Sequence, residues 1–165
     1  MKEKIEQLQK VLEEEIVNYK KLLTLLLKER KLLTEANVEV LENNLKEQEK
    51  VFTVIDRLEC ERFSILEELS KEILGDSFEN TTIDELFSRI PDSDRLKNIR
   101  NRLKELVRDI IKINNNNDFL IRNGLSFIEK NIEAFFGVDG REDLYHPGKF
   151  KLKKKNAKNI INWKI

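Results

Sequence analysis

Two prolines and five glycines among 165 residues leave few positions at which a helix has to end. Aromatic side chains are also scarce, at 7%, whereas charged side chains make up 38% of the chain. Because sheets are rich in aromatic and β-branched residues, this composition favours long helices with one face in water. The length suits one domain with room for a short tail.

Cysteine and histidine occur once each, as Cys60 and His146. A lone cysteine excludes an internal disulfide, and one cysteine with one histidine provides too few ligands for a zinc site. A carboxylate metal site between helices would need Glu-x-x-His pairs, and the sequence has none. A glycine-rich phosphate loop is missing as well. We therefore expect no catalytic residues, no metal and no cofactor, and do not expect an enzyme.

Long apolar runs are missing too. The longest is LLTLLL at residues 22–27, which is far too short to cross a bilayer. The first ten residues, MKEKIEQLQK, are charged and lack the apolar centre of a signal peptide. The net charge is zero, but residues 138–165 hold eight basic and three acidic side chains, which gives +5. We expect a cytoplasmic protein without membrane insertion.

Apolar side chains recur at helical spacing along three long segments. In the first, residues 3–33, an apolar side chain returns every seven positions, at Ile5, Leu12, Tyr19, Leu26 and Leu33. Glu15 and Glu29 fall on the same seam, so we expect imperfect or partly open packing there. Either the helix continues past residues 34–40, or it breaks there and Asn37 caps a second helix; we favour the break. The second segment runs to Leu74 and stops at Gly75.

A short helix and a third long one complete the pattern. Thr82 and Glu85 form a capping box ahead of IDELFSRI, and Pro91 ends that helix. Asp92 or Ser93 begins the last long helix. The sequence predicts an all-α fold, an elongated antiparallel bundle or coiled coil of three long helices and a short connector helix. We expect a helical domain at 1–137 and a turn-rich, lysine-rich, flexible tail at 138–165.

Four consecutive asparagines at 114–117 lie in the last helical segment, although asparagine is a poor helix former. The apolar seam crosses them without changing phase, through Leu96, Ile99, Leu103, Leu106, Ile110, Ile113, Asn117, Leu120, Gly124 and Phe127. The run is therefore predicted to be helical, with Asn115 and Asn116 in water. Asn117, with Asn114, is predicted to form a structural polar layer that fixes helix register. On that hypothesis, Asn117→Leu raises thermal stability but loosens the register.

The tail combines seven lysines from Lys149 onward with six large apolar side chains. The lysines would attract phosphate groups, but no arginine lies among them and only Trp163 offers strong stacking. We therefore expect no nucleic-acid partner. Three roles for the tail remain open: a disordered solubilising segment, a segment that orders on a partner, and a segment that docks on the protein's own apolar groove.

Four stretches, in this order, identify a family. They are YKKLLTLLLKERKLL, LENNLKEQEKVFTVIDRLECERFSIL, TIDELFSRIP and the last helix, in which Asn114 and Asn117 precede Leu120-Ile121 and Leu125-Ser126-Phe127-Ile128. Over about residues 5–137 the chain resembles the FlgN-type flagellar export chaperones. Its tail is more lysine-rich than is usual for that family.

This resemblance implies a chaperone of flagellar type III secretion. Such proteins hold hook–filament junction proteins in the cytoplasm by their C-terminal helical segments and bring them to the export gate and soluble export components. It also implies a cargo-binding C-terminal portion, which corresponds here to Leu120, Phe127, Ile128, Phe135, Ile160, Ile161 and Trp163. Two alternatives remain open: a structural coiled-coil oligomer or adaptor, and a nucleic-acid-associated helical protein that uses the lysine-rich tail.

Overall fold

The computed structural model describes residues 1–75, 82–91 and 93–136. These residues form four helices and no strand: α1 (Lys2–Glu35), α2 (Val38–Leu74), α3 (Ile83–Arg89) and α4 (Asp94–Phe136). The predicted all-α fold of three long helices and a short connector is therefore confirmed. The tail residues Ile160, Ile161 and Trp163 lie outside the described residues, and the division at residue 137 stays a prediction.

Local capping groups set the ends of α2 and α3 at the predicted positions. The Asn37 side chain accepts a hydrogen bond from the Val40 N–H at 3.3 Å, which satisfies one of the free donors at the start of α2. Gly75 ends α2 in the left-handed region, with φ at 72°. Thr82 caps α3 by accepting from the Glu85 N–H at 3.2 Å.

The turn between α1 and α2 holds Ala36 in the left-handed region, with φ at 52° and ψ at 34°. A Cβ is unfavourable there, whereas glycine adopts this conformation readily. We expect Ala36→Gly to raise the free energy of unfolding by about 0.5 kcal/mol, measured by urea denaturation. Lys21→Gly, at an exposed right-handed position in α1, should instead lower it by about 1 kcal/mol. A loss of stability in both variants would contradict the prediction.

Helix α1 lies between α2 and α4 and packs against both. It runs antiparallel to α2, because the Met1 amino group pairs with Glu72 at one end while Glu29 binds Gln48 towards the other. It runs parallel to α4, since Glu13 pairs with Arg95 and residues later in both helices meet further along. The three long helices therefore follow an up-down-up path.

The core is one cluster, made mainly of leucine, isoleucine and valine side chains from the three long helices together with Tyr19 of α1, and it is closed at one end by α3. Leu86 and Phe87 of α3 are fully buried. The Arg100 guanidinium ties α3 to α4 by a two-point hydrogen bond to the Asp84 carboxylate, at 2.5 and 3.0 Å. This planar pairing is the strongest geometry available to an arginine and a carboxylate, so it fixes how the connector sits on α4.

Two glutamates on the α1 seam are buried, so the packing that was expected to be imperfect or partly open there is not open. Glu15 is 0% exposed and Glu29 is 6% exposed. Neighbouring helices supply polar groups at both positions. Arg62 of α2 lies 3.4 Å from Glu15, and amide groups of α2 and α4 donate to Glu29. The seam therefore stays closed around both glutamates.

Candidate functional site

A buried polar layer joins all three long helices. The Asn117 amide of α4 donates to the Leu26 carbonyl at 2.9 Å and to the Glu29 carboxylate at 3.1 Å, both on α1. Gln48 of α2 donates to the same carboxylate oxygen at 3.0 Å and to Asn44 at 2.7 Å. Asn117 is 1% exposed. One amide on each outer helix thus converges on a single carboxylate of the central helix.

The other asparagines of the run take no part in these hydrogen bonds, and they include Asn114, which was predicted to share the layer. Asn115 and Asn116 are exposed, as predicted, and Asn114 is half-buried. The run is helical throughout, which was also predicted. Because each bond of the layer needs one alignment of α4 with α1, the geometry supports a role of Asn117 in fixing the register. That role stays a prediction.

Past Asn117, the side chains of α4 are no longer buried. No side chain from residue 118 to residue 135 is buried, although the helix continues to Phe136. We call residues 118–136 the α4 extension. Asn117 lies level with Glu29, and α1 ends six residues later at Glu35. The last 13 residues of α4 therefore project about 20 Å beyond the end of α1.

The α4 extension carries the same face that packs in the bundle. Eighteen residues make five turns of an α-helix, so residues 18 apart have the same angular position. In the bundle, the face of α4 towards α1 carries Leu103, Val107, Ile110, Asn114 and Asn117. The residues 18 positions further along the helix are Ile121, Leu125, Ile128, Ile132 and Phe135. We call these last five residues the apolar stripe. Four of the five side chains are exposed, and Phe135 is the most exposed of them, at 81%.

An exposed apolar row of this length is unusual on a lone helix in water. It continues an interface that is already packed in the same molecule, and nothing covers it among the residues that the structure describes. The arrangement fits an amphipathic helix whose apolar face is available for packing against a partner helix.

A family model for the FlgN protein matches residues 1–150. The chain belongs to the FlgN family. Comparisons with curated proteins and with solved structures give no significant match. The FlgN match makes the chain a flagellar assembly chaperone. It also confirms the family that the sequence motifs indicate.

In this FlgN chain, the residues suggested for cargo binding fall on two neighbouring rows. Ile128 and Phe135 lie in the apolar stripe. Leu120 and Phe127 lie about 100° around the helix from it, and we call this pair the outer row. Phe127 is 68% exposed and Leu120 is half-buried. The remaining suggested residues, Ile160, Ile161 and Trp163, fall outside the described residues.

Ile121, Leu125 and Ile132 complete the stripe, and the sequence reasoning did not single them out as site residues. The 18-residue relation to the packed half of α4 was the signal that would have found them. Glu29, Asn44 and Gln48 were also missed as members of the polar layer, although Glu29 stood out on the α1 seam. Their burial depends on which helices meet, which spacing within one helix does not determine.

The described residues contain no cluster of three or more histidine, cysteine, aspartate or glutamate side chains that could hold a metal ion. None of the helices in the described part of the chain is both long and apolar enough to cross a membrane. Cys60 is exposed on α2.

Proposed function

We propose that this chain is a cytoplasmic flagellar export chaperone that binds the C-terminal helical segments of hook–filament junction proteins. It would hold these segments on the α4 extension and deliver the cargo to the export gate and its soluble components. The observation that carries the proposal is the apolar stripe, which continues the core face of α4 beyond the bundle. FlgN membership makes export cargo the natural occupant.

The proposed recognition is helix against helix. A cargo helix with apolar residues at three- and four-residue spacing would continue, on the α4 extension, the packing that α1 provides in the bundle. Burying one leucine, isoleucine or phenylalanine side chain contributes roughly 1.5–3 kcal/mol. Burial of five such side chains would offset part of the entropy lost on association. Charged side chains along the polar side, such as the Asp118–Arg122 pair at 2.8 Å, would then influence specificity more than affinity.

Binding is tested with the C-terminal segment of a hook–filament junction protein from the same organism, by isothermal titration calorimetry. We expect the double variant Phe127→Ser/Phe135→Ser to bind this segment at least about tenfold more weakly than the unaltered chain. The affinity should change little between low and moderate salt, because apolar burial carries it rather than ion pairs.

Val17→Ser is a matched control, since Val17 is also an exposed apolar residue but lies on α1. It should bind as the unaltered chain does. Equal binding by the Phe127/Phe135 double variant, with an unchanged helical circular dichroism spectrum, would remove the α4 extension from the cargo site. If the stripe instead pairs two copies of the chain, sedimentation will show a dimer that the double variant disrupts, which favours the coiled-coil alternative.

A further inference from the structure

Gly124 lies in the middle of the α4 extension, where the fold itself gives no reason for a glycine. It has ordinary helical backbone, because Gly75 is the only glycine with positive φ among the described residues. An added Cβ at Gly124 would meet no atom within 4 Å. Neither backbone conformation nor crowding within the chain therefore requires glycine. Glycine also weakens a helix interior relative to alanine, so this position carries a cost in the isolated chain.

The nearest neighbours of Gly124 on the helix surface are all large and apolar. On an α-helix, these neighbours are the residues three and four positions away in each direction. Around Gly124 they are Leu120, Ile121, Phe127 and Ile128. The first two are half-buried, and the last two are exposed. A glycine surrounded in this way forms a shallow pit with backbone as its floor and four apolar side chains as its rim.

The pit lies between the two apolar rows. Ile121 and Ile128 belong to the apolar stripe, and Leu120 and Phe127 form the outer row. Eighteen residues upstream of the outer row, the equivalent positions are Arg102 and Asp109, both exposed. In the bundle this part of the helix surface is charged and faces water, whereas in the α4 extension it is apolar. The extension therefore presents an apolar surface wider than the one that α4 uses to pack on α1.

We infer that the Gly124 pit receives one large apolar side chain from a cargo helix, which crosses α4 closely at this point. The inference rests on the proposed function, and it assigns the position on α4 at which the cargo helix is anchored. Close approach of two helices needs a small residue at the crossing, and a knob side chain packs into a hole made by four residues of the facing helix. Leucine, methionine and phenylalanine have the size and character to fill it.

The test fills the pit without damaging the fold. Gly124→Ala and Gly124→Leu are titrated with the C-terminal segment of a junction protein, with the melting temperature measured in parallel. We expect Gly124→Ala to weaken binding several-fold and Gly124→Leu by more than about tenfold, with melting temperatures at or above that of the unaltered chain. Asn123→Ala is the matched control: it is adjacent, exposed and outside the rim, and it should bind normally.

Phe135→Ser separates this inference from the proposed function, because Phe135 lies on the stripe but away from the pit. Weaker binding by Phe135→Ser together with normal binding by both Gly124 variants would overturn the pit and leave the cargo surface in place. No binding of the segment by the unaltered chain would overturn both. A dimer of the chain that Gly124→Leu dissociates would assign the pit to a second copy and also overturn the inference.

Discussion

Glu15→Gln is expected to stabilise the protein by roughly 3 kcal/mol at pH 8 and to change its stability little at pH 4.5. Glu15 is 0% exposed, and neither carboxylate oxygen accepts a hydrogen bond in the structure. The pKa of Glu15 is raised to about 7, mainly because burial disfavours the charged form; the attraction of Arg62 opposes this shift, and the nearby Glu59 adds to it. The glutamine keeps the shape of the neutral acid and removes the charge.

The direction of this pH dependence follows from the two protonation states. In the unfolded chain Glu15 releases its proton near its ordinary pKa of 4.5, whereas the folded protein keeps it until about pH 7. Between these values the unfolded state binds fewer protons, so stability falls as the pH rises and levels off above about pH 7. Burial also raises the pKa of Glu59, which accepts a hydrogen bond from Tyr19 at 2.5 Å. In the Glu15→Gln variant, the stability will therefore still fall as the pH rises, because of Glu59, but less steeply than in the unaltered chain.

Urea unfolding at pH 4.5, 6 and 8 measures this difference directly. Glu14→Gln removes the same charge from the neighbouring exposed position, and it should leave the pH dependence of the unaltered chain in place. Parallel stability curves for Glu15→Gln and the unaltered chain would show that Glu15 is already charged in the fold near pH 5.

Helix ends could be predicted from the sequence because capping is local. Asn37, Gly75 and Thr82 each act on backbone groups within four residues. Their roles therefore do not depend on which helices pack together. The αL conformation of Ala36 was not predicted, because alanine is not a residue type that indicates a left-handed turn. What determines that conformation is the two-residue connection between α1 and α2, and only the packed pair of helices imposes it.

The face of α4 was predicted well in the bundle and less well beyond it, for a geometric reason. A strict seven-residue repeat drifts by about 20° per heptad on a straight α-helix. Following the repeat from Leu96 through Asn117 leads to Gly124, which has turned away from the face that packs on α1. The structure keeps that face at Ile121 and Ile128. The predicted seam therefore reached only the edge of the site, where the pit lies, although Ile128 and Phe135 of the stripe were named as cargo-binding residues from the family resemblance.

Asn117→Leu is expected to lower the free energy of unfolding by about 2 kcal/mol, measured by urea denaturation. The sequence alone led to the opposite expectation, since a buried asparagine in a coiled coil costs stability. The structure changes the expected sign because Asn117 donates to the carboxylate of Glu29, which is also buried. Leucine would leave that carboxylate with one donor fewer in a site that water does not reach.

A double-mutant cycle with Glu29→Met isolates this effect. With no carboxylate to satisfy, Asn117→Leu should cost little or even stabilise, because the Leu26 carbonyl remains inside α1 and Gln48 still donates to Asn44. The coupling between the two positions should then be roughly 1–3 kcal/mol. Equal losses from Asn117→Leu in both backgrounds would show that the two side chains act independently. A large coupling would instead mean that α4 is aligned on α1 by the buried contact between Asn117 and Glu29, and that this alignment sets where the α4 extension begins.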